Sequence, residues 1–142
     1  MQNCQQINPS IKFSCRRFNF NDDPNLILDW MEQRKLEIPN KLELPKIGFV
    51  IKTKQNGAIA IGFLRICEGN VAMIDSMITN PAINSDIRDK ALDFLVHRLI
   101  ASARRKNIFK IFGYSMDKNT LLRAQKHGFK IVSQTLIALQ IS

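Results

Sequence analysis

With 142 residues and 45% hydrophobic content, the chain has the size of one compact domain able to bury most of its apolar surface, and residues 1–142 read as a single unit. Cys4, Cys15 and Cys67 are odd in number and lack CxxC spacing, so neither a disulfide framework nor a zinc site is indicated. No apolar run is long enough to cross a bilayer, and the net charge of +9 favours anionic partners.

Residues 1–10 are polar, show no leader pattern, and are expected to form a flexible N-terminal segment in a cytoplasmic protein. Ile11 to Phe18 alternates weakly and reads as a strand. Asn21-Asp22-Asp23-Pro24 then supplies a turn, a helix cap and a proline suited to a first helical turn. Leu26, Ile27, Trp30 and Met31 recur at helical spacing, which predicts a helix to about Arg34. Pro39 and Pro45 make the next stretch irregular. Ile47 to Thr53 and Ala58 to Ile66 are rich in β-branched residues and join at Asn56-Gly57, a pair suited to a type I′ hairpin. A second turn at Glu68-Gly69-Asn70 leads to Val71–Thr79, completing a three-strand antiparallel meander.

Ser85 or Asp86 opens a long helix with Ala91, Leu92, Leu95, Leu99 and Ala103 on one face, ending near Asn107. The basic cluster Arg104, Arg105, Lys106 and Lys110 falls at that end, where cations complement the exposed carbonyls. No aromatic side chains are interleaved for base stacking, so the cluster reads as a solvated helix end and not as a nucleic-acid patch. Ile108 to Tyr114 reads as a buried strand parallel to Val71–Thr79 through a crossover. A helix over Lys118–Lys126 stops at His127-Gly128, and Phe129 to Ile141 is the final strand.

Several phrases in this order carry a resemblance. Arg17-Phe-Asn-Phe-Asn-Asp22 precedes a helix, Gly57-Ala-Ile-Ala-Ile-Gly62 follows the irregular stretch, and His127-Gly128-Phe129 closes the last helix. Together with the element order they resemble the GNAT family of acyl-CoA-dependent N-acetyltransferases across nearly the whole chain. In that family the first phrase opens the fold, the second lies on the second and third strands, and the third ends the fold. The resemblance implies an α/β (α+β) fold with a mixed, mostly antiparallel sheet flanked by helices and a parallel strand pair at the cofactor cleft. It also implies acetyl-CoA as cofactor and an amine as acceptor.

The family's coenzyme motif, Pro-x-x-Arg/Gln-x-x-Gly-x-Gly/Ala, starts at Pro81. It puts Asn84 at the Arg/Gln position, Ile87 at the first glycine, Arg88 between the glycines, Asp89 at the second and Lys90 beyond. Glycines there let the backbone and helix amides approach the pyrophosphate. Ile87 adds bulk, and Asp89 adds negative charge. Two unit charges about 4 Å apart at an effective dielectric of ~20 repel by about 4 kcal/mol, or several hundredfold in affinity. Carboxylates at Asp86 and Asp89 also suit a helix that caps its own first turn. Arg88 and Lys90 offer partial compensation.

In this family the base often comes from the fourth strand, where Asp75 is the only carboxylate. Two readings stay open: a base desolvated by Met73 and Met77, or a strand carboxylate paired with a cation such as Arg65. The position of the family's usual acid tyrosine holds Ala124, and its usual asparagine is Asp117. Tyr114 and Ser115 lie upstream. His97 and His127 have no partners at metal-ligand spacing and read as structural, so no metal is expected. Cys67 reads as a small core residue. Two readings are consistent with the sequence: a diverged N-acetyltransferase that uses acetyl-CoA, and a non-catalytic binding or structural/assembly module with this fold that has lost acetyl-CoA binding, takes no cofactor and serves a protein partner.

Overall fold

The computed structural model describes residues 11–37, 43–115 and 117–132. Strand β1 (Ser14–Arg17) is followed by helix α1 (Pro24–Gln33), then β2 (Ile47–Thr53), β3 (Gly57–Cys67), β4 (Val71–Thr79), α2 (Ser85–Arg105), β5 (Lys110–Phe112) and α3 (Lys118–Lys126). The strands form one five-stranded sheet in the order β1-β2-β3-β4-β5. The first three pairings are antiparallel and β4–β5 is parallel. This is the mixed sheet with a parallel pair that the sequence led us to expect. The predicted flexible segment 1–10 lies outside the described residues, as does the last strand beyond residue 132. Residues 129–132 have no regular structure.

Period-two alternation sorts the apolar side chains of the sheet onto two faces. On one face Ile51, Ile59, Leu64 and Ala72 pack against Leu95 and Leu99 of α2. On the other, Val50, Ile61, Phe63 and Ile78 pack with Phe18 and with Ile27 and Trp30 of α1. Leu64, Leu95 and Leu99 are at most 1% exposed, and full burial of such a side chain contributes roughly 1.5–3 kcal/mol. α1 and α2 are thereby held on opposite faces of the sheet, with β4 between them.

All three helices end alike. After the C-caps Arg34, Lys106 and His127, the next residue is left-handed: Lys35 (φ 55°), Asn107 (φ 57°) and Gly128 (φ 94°). In each, the amide of that residue and the one after it donate back to carbonyls of the last turn, as in Leu36 N to Met31 O at 3.1 Å. Gly128 and Asn107 are the usual residues for this ending. Lys35 is not, and no local residue pattern announces it.

Several expectations are corrected. The β2–β3 connection is not a type I′ turn: Gly57 is left-handed (φ 67°), Asn56 is not, and the Thr53 hydroxyl accepts the Asn56 amide at 3.1 Å. Consecutive left-handed residues occur at the next hairpin, Gly69 (φ 77°) and Asn70 (φ 56°). The phrase Gly57 to Gly62 lies wholly on β3. β1 and β5 are shorter than expected. β5 is not buried: among the described residues it pairs only with Val71, Ala72 and Met73, and Phe109, Phe112 and Tyr114 are exposed. Cys67 is exposed rather than in the core, because it stands past the helix-covered part of β3, next to the turn. Asp23 does not cap α1 with its side chain. Its carboxylate accepts instead from Arg16 Nη1 and Nη2 at 2.6 and 2.9 Å and from the Asn19 amide at 2.6 Å.

Candidate active site

The site grows out of an irregularity in β4. Ile61 pairs with Ile78 and Phe63 with Asp75, so Gly62 alone faces both Ser76 and Met77, a β-bulge. Ser76 takes φ 54°, a backbone conformation that a non-glycine residue holds only at some cost and that concentrates at functional sites. Beyond the bulge β4 has no partner on its β5 side, because that pairing stops at Met73. The strand edge from Ile74 to Thr79 is open among the described residues. Gly62 permits the bulge: a Cβ there would lie 2.8 Å from Leu95 Cδ2 and 3.3 Å from Met77 Cγ.

A cavity of about 560 Å3 lies against this edge, lined by Met31, Arg34, Leu36, Glu37, Glu43, Ser76, Met77, Ile78 and Thr79. Its far wall is the end of α1 and the residues just past it. Arg34 ties the two walls together: Nη1 donates to the Thr79 carbonyl and Nη2 to Thr79 Oγ1 at 2.8 Å. The Asn80 amide pairs with Ile59 O, so alternation of the ladder turns the Thr79 carbonyl toward the open side, where Arg34 meets it. Burial, and then the nearby Arg88 charge, push the Arg34 guanidinium below its ordinary pKa.

Asp75 is paired. Arg65 Nε and Nη2 both donate to Asp75 Oδ2, at 2.9 and 2.8 Å, and the Ser76 hydroxyl donates to Oδ1 at 2.9 Å. Arg65 also donates to the Glu43 carbonyl at 2.6 Å, tying the cavity mouth to β4. The bulge puts Met77 on the α2 side of the sheet, packed against the α2 cluster, whereas Asp75 pairs with Phe63 on the α1 side. Met77 therefore does not desolvate Asp75 as alternation without a bulge predicted.

At the start of α2 the motif positions separate. Asn84 is the N-cap, its Oδ1 accepting the Asp86 amide at 2.8 Å. Ile87 is an ordinary helical residue whose side chain packs against the α2-side core. Asp86 and Asp89 were expected to cap this turn. Among the described residues neither does: Asp86 is exposed, and Asp89 accepts from Arg123 Nη2 at 2.9 Å. Asp93 takes Lys126 Nζ at 2.9 Å, His127 Nε2 at 3.0 Å and Arg123 Nε at 3.4 Å. Burial raises the Asp93 pKa, but hydrogen bonds from Lys126 and His127 and the Lys126 and Arg123 charges outweigh it, leaving the carboxyl below its ordinary value. This clasp fixes α3 on α2. Lys90 is exposed, and Arg88 is half-buried with its Nε enclosed and without a hydrogen-bond partner.

Asp117 caps α3, accepting from the Thr120 amide and hydroxyl at 2.9 and 2.8 Å, and these bonds lower its pKa. Tyr114 is exposed, and the Ser115 hydroxyl accepts the Asp117 amide. No group of three or more potential metal ligands occurs among the described residues. Sequence reasoning missed Arg34, Glu37, Glu43 and Thr79, which carry no motif and meet only when α1 docks on β4.

No family model matches the sequence, and no curated protein matches it. Solved structures do match. An acetyltransferase from Trypanosoma brucei gives a TM-score of 0.66 over 92% of this chain and 100% of that one at 15% identity. AAC(6′)-Iy, solved with the bisubstrate analogue CoA-S-monomethyl-acetylneamine, gives 0.66 over 92% and 99% at 13% identity. A GNAT-family acetyltransferase from Staphylococcus aureus Mu50 gives 0.62 over 87% of each chain at 15% identity. What is shared at these identities is the fold: the chain has the fold of the GNAT acetyltransferases.

Proposed function

We propose that the chain is a diverged acyl-CoA-dependent N-acyltransferase that binds its coenzyme along the open edge of β4 and transfers the acyl group to an amine in the adjoining cavity. The observation that carries this reading is the edge beyond the bulge at Ser76, open beside a cavity of about 560 Å3. AAC(6′)-Iy, a neighbour in fold, was solved with an analogue that joins coenzyme A to an acceptor. Two features that argued against coenzyme binding are weaker in three dimensions. The bulk of Ile87 is directed into the core, and the charge of Asp89 is met by Arg123.

The residues present fit an acyl-CoA. The first turn of α2, with Asn84 at its cap and Arg88 and Lys90 as cations, would hold the pyrophosphate, and the β4 edge would take the amide-bearing arm. When bound, the coenzyme supplies an activated thioester. Arg65 is held by Asp75 and in turn holds the Glu43 backbone, so Asp75 is a positioning residue in this scheme. Glu37 and Glu43 line the cavity and are the carboxylates able to attract a cationic amine and take its proton, directly or through water.

Calorimetric titration of acetyl-CoA into the full chain tests the reading. A native-state ligand must also raise the melting temperature, by about 2.7 kcal/mol of added stability at a hundredfold excess over Kd. No heat and no thermal shift at millimolar acetyl-CoA would rule the reading out. Replacement of both motif glycines favours a second reading, a non-catalytic module that keeps the fold to bind a protein partner. A folded chain that gives no heat with acetyl-CoA would favour it.

A further inference from the structure

Four non-glycine residues among those described have positive φ. Lys35 and Asn107 follow helix ends and Asn70 sits in a hairpin turn, so only Ser76, at φ 54°, lies inside a strand. Glycine would hold that conformation without strain, whereas serine holds it at a cost. What serine brings to the position, and glycine could not, is a hydroxyl.

That hydroxyl is already oriented. Ser76 Oγ donates to Asp75 Oδ1 at 2.9 Å, while Asp75 Oδ2 takes Nε and Nη2 of Arg65 at 2.9 and 2.8 Å. A carboxylate paired with an arginine only accepts, so the single hydroxyl proton is committed to Asp75 and Oγ keeps only lone pairs for any other contact. Ser76 lines the cavity, as do Glu37 and Glu43, whose carboxylates make it attractive to cations. Arg34, the cation of the lining, is turned to the Thr79 carbonyl and hydroxyl. A ligand suited to these groups carries positive charge and an N–H to give.

We propose that Ser76, its proton fixed by Asp75, is the acceptor that holds an N–H of a cationic nitrogen in the cavity, and that the pair thereby selects amines over quaternary ammonium groups. The recognition rests on the Arg65–Asp75–Ser76 chain of hydrogen bonds; that the nitrogen held is the acyl acceptor rests on the acyl-transfer reading. Asp75 acts through Ser76 and is a positioning residue. In Asp75→Asn the carboxamide oxygen stays on Arg65 and the NH2 faces Ser76 Oγ, which turns the hydroxyl proton away from residue 75 and reverses the sense of the contact.

The test uses two probes of equal charge, n-butylammonium and butyltrimethylammonium, of which only the first has an N–H. Each is titrated into the full chain, and amide NMR shifts report both affinity and location, for wild type, Ser76→Gly and Asp75→Asn. Ser76→Gly removes the hydroxyl at a position whose backbone glycine accepts freely, and Asp75→Asn changes no volume, so it keeps the test decisive if the glycine variant repacks. Wild type should bind n-butylammonium at the cavity about tenfold more tightly than butyltrimethylammonium, the difference made by one charge-assisted hydrogen bond, and both variants should bring the ratio to about twofold or less. Loss of charge at residue 75 weakens both cations alike and leaves the ratio unmoved, so the ratio isolates the hydroxyl. Absence of n-butylammonium shifts at the cavity, or a ratio unchanged in both variants, would overturn the proposal. No acetyl-CoA is needed. If the ratio collapses as expected while acetyl-CoA gives no heat, the amine site stands and the acyl-transfer reading falls; if acetyl-CoA binds while the ratio ignores both variants, the reverse holds.

Discussion

Replacing Asp23 by asparagine should remove the strongest tie between β1 and α1 and expose its pH dependence. Asp23 is 4% exposed, and its carboxylate accepts both Nη atoms of Arg16 and the Asn19 amide. Breaking a fully buried ion pair costs about 3–5 kcal/mol, but the Arg16 side chain is 38% exposed and can rehydrate. An asparagine oxygen can also still accept one of the bonds, so a loss of about 2 kcal/mol is expected at pH 7, roughly 4–8 °C in Tm. The sign of the pH effect follows from the shift. The Arg16 hydrogen bond lowers the folded pKa of Asp23; burial opposes it, and the Asn19 amide adds to the lowering. The unfolded value is about 3.9, so the contribution is complete above about pH 5 and is lost as the pH falls through the folded pKa. Urea unfolding of wild type and Asp23→Asn at pH 7 and pH 3 measures this. The gap between them should be about 2 kcal/mol at pH 7 and shrink at pH 3, where the unfolded carboxyl, below its value of about 3.9, already holds a proton that ionic pairing with Arg16 would have to displace. Equal midpoints at pH 7, or a gap that does not change with pH, would refute the reasoning.

Gly62→Ala sets a Cβ 2.8 Å from Leu95 Cδ2 beside the bulge; overpacking of this kind should cost about 1–3 kcal/mol in denaturant unfolding, and a neutral result would mean that Leu95 moves aside freely. Asp89→Asn should change acetyl-CoA affinity by less than about tenfold in calorimetry, since Arg123 already meets the carboxylate at 2.9 Å and the group is 67% exposed; a hundredfold gain would show an uncompensated charge at the coenzyme site. Lys35→Gly should raise stability by about 1 kcal/mol, because Lys35 ends α1 at φ 55°, where a side chain is strained. A loss of stability in thermal unfolding would show that the lysine side chain contributes more than its backbone strain costs.

Local signals in the sequence carried most of the element order. Pro24, the apolar faces of α1 and α2, the β-branched runs of the meander and Gly128 each act over a few residues, and each element formed close to where they predict. Asn56-Gly57 marked a hairpin correctly but not its turn type, because the Thr53 hydroxyl holds the Asn56 amide and only Gly57 becomes left-handed. The Schellman end at Lys35 had no residue to announce it.

The motif from Pro81 to Leu92 was legible as a pattern, and its meaning was not. From the sequence, Ile87 and Asp89 were bulk and charge at a coenzyme site. In the fold Ile87 packs into the core, and Asp89 meets an arginine 34 residues further along the chain. Asp75 was visible as the only carboxylate of its strand, but the bulge at Ser76 moved Met77 to the other face and left Asp75 paired with Arg65. The sequence by itself determined the fold, since helical and strand periods, caps and turns are encoded by neighbours. Only the tertiary structure decided the candidate site: which side chains meet at the β4 edge depends on one extra residue in a strand and on where α1 docks, neither of which leaves a local pattern.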